Sequence, residues 1–147
     1  MSIGAVELSE GSVTRLKLLQ GYSFRVQFDL EGVPDFVVDE PKPVGEGLGP
    51  NSTRLLSAAV GQCLSSSLLY CLRKARIRVT SLEMEVKSNL VKSEKGQTRL
   101  KSLDVQIHLD VNPEDRSRAT RCLRIFEEYC TVTPSVRSGI EVKVNIV

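Results

Sequence analysis

The sequence has no tryptophan, one histidine, and only three tyrosines and four phenylalanines among 147 residues. A single histidine cannot build a histidine-rich metal site, and so few aromatics give no platform on which nucleobases could stack. An excess of charge of one sign is also missing: 20 Lys and Arg face 18 Asp and Glu, a formal net charge of +2. That balance leaves no electrostatic footprint for nucleic acid or an anionic membrane, so neither is expected as a partner. No CxxC occurs, which removes the usual zinc and thioredoxin spacings. The run Gly45-Glu46-Gly47-Leu48-Gly49 stands before a helix, where anions bind. It lacks both the Gly-Lys ending of a P-loop and the full GxGxxG spacing, so it is not read as a phosphate cradle. The first ten residues hold Glu7 and Glu10 and no basic cluster, so no secretory signal is read and the cytoplasm is the expected compartment.

What is present describes a globular chain. Apolar residues make up 41% and charged residues 26%, and no repeat or linker interrupts them, which predicts a single domain over residues 1–147. The longest uncharged run, Leu55 to Leu72, has 18 residues and touches the length of a membrane span. It carries Ser57, Gln62, Ser65, Ser66 and Ser67, so it reads as the buried helix of a soluble protein.

Tyr22, Phe24, Val26, Phe28 and Leu30 alternate with polar residues, the period of a half-buried strand. A short apolar run, Phe36 to Val38, follows Pro34. Residues 39–51, DEPKPVGEGLGPN, hold three prolines and three glycines and must be a loop. A long helix begins at Asn51 or Ser52, either of which can cap it, and runs to about Ala75. Ala58, Gly61 and Ser65 form a small-residue stripe along it, read as close packing. Alternation over Leu82–Leu90 and Leu103–Val111 predicts two strands joined by a hairpin turn at Gly96. Asn112-Pro113-Glu114-Asp115 marks a second helix start, with Ala119, Cys122, Phe126, Tyr129 and Cys130 as its apolar face. Ile140, Val142, Val144 and Ile146 predict a final strand. The order predicts an α+β fold in which an antiparallel sheet packs against a long central helix.

Four cysteines are the most informative residues. Cys63 and Cys71 lie on the first helix and Cys122 and Cys130 on the second, each pair eight residues apart. Eight residues is about 12 Å of helix rise, beyond the roughly 7 Å that a disulfide spans between Cα atoms. Any bridge must therefore join the two helices, or two chains. If the helices run antiparallel and Cys63 meets Cys130, then Cys71 lies near Cys122. Cys130, at the end of its helix, faces the negative end of the dipole, which opposes a thiolate. Cys63 is therefore preferred as nucleophile and Cys130 as its resolving partner.

The stretch DEPKPVGEGLGPNSTRLLSAAVGQCLSSSLLYCLRKA, together with FEEYCTVTPSVRSGIEVKV, resembles the OsmC/Ohr family of osmotically induced and organic hydroperoxide resistance proteins. The resemblance implies an OsmC-like intertwined homodimer in which strands of both subunits wrap two long central helices. It also implies a peroxidase: Cys63 attacks a hydroperoxide and becomes a sulfenic acid, Cys130 condenses with it to a disulfide, and an external dithiol restores both thiols. It implies no metal and no bound cofactor. Family members carry Asn-Pro-Glu at the helix start, where the Glu orients an arginine that activates the thiolate. Here Asn51-Ser52-Thr53 replaces that pattern, and Arg54 follows. Arg25 is the nearest candidate for the arginine and Arg15 the other; Glu40 or Glu46 is a candidate for the missing acid. Strand alternation places Arg25 opposite the Tyr22 and Phe24 face.

The other constellations read as structural. His108 shares the polar face of its strand with Asp104, Gln106 and Asp110, and Arg116, Arg118, Arg121 and Arg124 spread over the outer side of the second helix. The competing reading is a non-enzymatic OsmC-like thiol protein acting as a redox sensor or small-ligand binder. Thr53 in place of Glu favours it.

Overall fold

The computed structural model describes residues 11–147, so the reading of Glu7 and Glu10 lies outside the described residues. The chain folds as two compact units, one reaching to Ser52 and the other starting at Thr53.

The first unit is a three-stranded antiparallel sheet in the order β1 (Thr14–Gln20), β2 (Ser23–Phe28), β3 (Phe36–Val38). Its alternation is only partly the expected one. Val26 and Val38 are buried, whereas Tyr22 and Phe28 are exposed and β2 stops at Phe28, short of Leu30. Arg25 is exposed, opposite Lys17 of β1 and Val37 of β3. The Pro/Gly-rich loop that follows is organised by one carboxylate. Asp39, buried at 4% exposure, accepts the backbone N–H groups of Glu40 (2.8 Å), Glu46 (3.1 Å) and Leu48 (3.2 Å). A side chain at Gly49 would put its Cβ 1.9 Å from the Val37 carbonyl oxygen, so the loop returns against β3 only because that position has no Cβ.

The second unit is built on α1 (Ser52–Lys74), the start and length predicted from its apolar run. By length and composition alone α1 could cross a membrane. Yet Val60, Leu64, Leu68 and Leu72 are buried in a core with Ile77, Ala119 and Phe126. Against this core lies the hairpin of β4 (Val79–Lys92) and β5 (Thr98–Val111), with Leu82, Met84, Val105, Ile107 and Leu109 turned inward at alternate positions. Gly96, at φ 76°, makes its turn as expected. The small-residue stripe meets this hairpin: a Cβ on Gly61 would stand 3.1 Å from Val86 Cγ2.

The second helical region departs from expectation. Pro113–Asp115 is a single 3-10 turn, α2 covers Arg116–Ile125, and Phe126–Tyr129 tightens into another 3-10 turn. The chain is extended at Cys130, and a further helix, α3 (Val132–Ser138), follows. Because the α-helical period ends at Ile125, Tyr129 leaves the apolar face and is 52% exposed, against the ring of Tyr70. The predicted last strand is absent. Ile140, Val142, Val144 and Ile146 are 61–98% exposed, and no strand is assigned over them. An alternating pattern becomes a strand only when an edge is there to pair its N–H and C=O groups, and among the described residues none does so.

Candidate active site

Cys63 and Cys130 converge. Cys63 lies midway along α1, and Cys130 lies in the extended link between the 3-10 turn and α3. Their Sγ atoms are 2.7 Å apart and hydrogen-bonded, and both are free thiols. Cys71 and Cys122, two turns along, are disulfide-bonded with Cα atoms 5.6 Å apart. Both juxtapositions of the antiparallel register are therefore present, although Cys130 no longer belongs to the helix that carries Cys122.

That break corrects the electrostatics expected at Cys130. The sulfur does not sit at the negative end of a helix; it faces the start of the next one. The N–H groups of a helix's first turn have no partners inside the helix, and here two of them turn to sulfur. Val132 N–H donates to Cys63 Sγ (3.4 Å) and Thr133 N–H to Cys130 Sγ (3.4 Å). The Thr133 hydroxyl adds a contact to Cys130 Sγ at 3.1 Å. Burial pushes the Cys130 thiol up, but hydrogen bonds from Cys63, Thr133 and Val132 outweigh it and hold the thiol below its ordinary value. Dipole direction therefore no longer separates the two sulfurs, but access does. Cys63 is half-buried, whereas Cys130 is 5% exposed.

A cavity of about 530 Å³ is lined by Leu64, Phe126, Thr133 and Val136 together with the charged Lys101, Glu127 and Arg137. Thr133 thus touches both the cavity and Cys130. On the α1 surface Tyr70 meets Tyr129 with ring planes tilted by 55° and centroids 5.6 Å apart, and Lys74 Nζ lies 5.5 Å from the centre of the Tyr70 ring.

Arg25 and Glu40 belong to the first unit, Arg25 exposed on β2 and Glu40 half-buried beside Asp39. His108 is exposed, as read from its strand position. Arg118 is not simply solvated: it donates to the Ala75 carbonyl beyond the end of α1 (2.8 Å) and pairs with Asp115. Thr133 escaped sequence reasoning. The available signal was Pro134, which suits the first turn of a new helix and not the end of an old one. Among the described residues no cluster of His, Cys, Asp and Glu could hold a metal ion.

An α+β unit with a long helix under an antiparallel hairpin, carrying a close thiol pair between that helix and a C-terminal segment, defines the class. Within it, the family model of OsmC-like proteins matches residues 45–145, and the chain belongs to that family. The organic hydroperoxide resistance protein OhrB of Bacillus subtilis is 26% identical over 119 residues, 79% of this chain and 84% of OhrB. The solved OhrB structure superposes with a TM-score of 0.62 at 21% identity, covering 91% of this chain and 96% of that one. An OsmC-like protein of unknown function from Vibrio cholerae superposes with a TM-score of 0.73 at 14% identity, covering 86% of this chain and 93% of its own. These likenesses carry the fold.

Proposed function

We propose that the protein is a thiol-dependent peroxidase for organic hydroperoxides. The observation that carries the reading is the pair itself: a half-buried cysteine, Cys63, with its sulfur 2.7 Å from that of a buried one, Cys130. The Cys63 thiolate attacks the O–O bond, takes one oxygen as a sulfenic acid and releases the other as an alkoxide, which is protonated to the alcohol. Cys130 then attacks the sulfenic sulfur, forming the Cys63–Cys130 disulfide with loss of water. An external dithiol reduces the disulfide and is itself oxidised. No resident metal or organic cofactor is proposed to take part.

The working form is proposed to be a single OsmC-like domain acting in the cytoplasm as a homodimer. The unpaired alternation at Ile140–Ile146 and the exposed Leu16 and Leu18 of β1 support the dimer, since both offer strand surface that a second chain would cover.

The test is turnover. With cumene hydroperoxide and dithiothreitol, the wild type is expected to consume many equivalents of peroxide and Cys63→Ser none. Thr53, where family members carry Glu, favours a second reading as a redox sensor or small-ligand binder. That reading gains if oxidation stops at one equivalent per chain.

A further inference from the structure

Thr133 has no part in the cycle above, yet it addresses Cys130 twice. Its hydroxyl lies 3.1 Å and its backbone nitrogen 3.4 Å from the Cys130 sulfur, and the residue is buried at 7% exposure. A hydroxyl serves both states of a sulfur, accepting from the thiol and donating to the thiolate. The bond to the charged form is the stronger of the two, so the contact favours negative charge on Cys130. Cys63 on α1 is the titratable group in contact with Cys130; Glu127, in the preceding turn, is paired with Arg137 of α3, and both line a cavity with Thr133 and Lys101 of β5.

We propose that Thr133 is a positioning residue that holds Cys130 as the leaving thiolate when a dithiol opens the Cys63–Cys130 disulfide, and so directs the dithiol to Cys63. The proposal rests on the peroxidase reading. One thiolate of the dithiol bonds to Cys63 Sγ, the Cys63–Cys130 bond breaks, and its electron pair goes to Cys130 Sγ. The second sulfur of the dithiol, once deprotonated, closes onto the first and releases Cys63 as a thiolate. The dithiol is oxidised by two electrons and the protein disulfide is reduced by two. A disulfide opens faster when its leaving thiol is the more acidic. Exposure agrees, because Cys63 is half-buried and Cys130 is 5% exposed.

The test uses the full chain and no hydroperoxide, with the disulfide formed by diamide, so its outcome is independent of peroxidase activity. First, Cys130 is titrated by thiolate absorbance in a Cys63→Ser background, where Cys71 and Cys122 are bonded and silent. Thr133→Val is expected to raise the midpoint by about one pH unit and Thr133→Ser to leave it in place. An unmoved midpoint in a Thr133→Val protein that unfolds at the wild-type temperature overturns the proposal, as does an equal shift in both variants. Second, the unmutated disulfide form is opened with a monothiol and the mixed disulfide is mapped. Attachment at Cys63 is expected, and attachment at Cys130 overturns the proposal even if Thr133→Val does not fold.

Discussion

Asp39 and Cys130 are governed by the same opposition. Burial disfavours the charged form of each, and neighbouring hydrogen bonds favour it by more, from backbone N–H groups at Asp39 and first from the Cys63 and Thr133 side chains at Cys130. For Asp39 the balance holds the carboxyl below its ordinary 3.8, through bonds from Leu48, Glu46 and Glu40. A group whose pKa is lowered by folding stabilises the fold above its unfolded value, and that contribution is lost as pH falls through the folded one. Asp39→Asn is therefore expected to unfold at lower denaturant than the wild type at neutral pH. The gap should close as the pH is taken below 3.8, as unfolding midpoints across an acid series would show. A gap that is constant with pH would mean that the loop is held by something other than the charge.

At the scale of elements, the end of α1 is strained. Arg76 has φ 55°, and Ile77 N–H bonds back to the Leu72 carbonyl at 2.9 Å, the closing pattern that glycine usually supplies. The left-handed conformation costs an L-residue about 1–2 kcal/mol. Part of any gain from glycine is offset by the freedom it adds to the unfolded chain. Arg76→Gly is expected to raise stability by about 0.5–1 kcal/mol in denaturant titration. A loss would show that the Arg76 side chain holds the turn. The elements themselves were largely legible. Pattern and caps marked α1, the β4–β5 hairpin and the start at Asn112-Pro113. What periodicity hid was the break after Ile125, because the four residues of the 3-10 turn are too few to show their own period in the sequence. That hidden break reversed the expected electrostatics of Cys130 and concealed Thr133.

At the scale of the molecule, the mirrored positions of four cysteines on α1 and the second helical region allowed both sulfur pairs but left open whether they form within one chain. The resemblance supplied the chemistry, which spacing alone could not. The last strand read from Ile140 to Ile146 is unpaired among the described residues because its pattern needs an edge from elsewhere. If that edge belongs to a second copy, sedimentation should give twice the chain mass. Removal of residues 140–147 should then weaken the dimer, whereas a wild-type monomer would contradict the homodimer.

The most direct measurement for the central claim is a peptide map of the reduced-pair protein after brief exposure to one equivalent of cumene hydroperoxide. The account predicts a rapid Cys63–Cys130 disulfide with Cys71 and Cys122 unchanged. A Cys63 that remains a thiol while peroxide persists would contradict it.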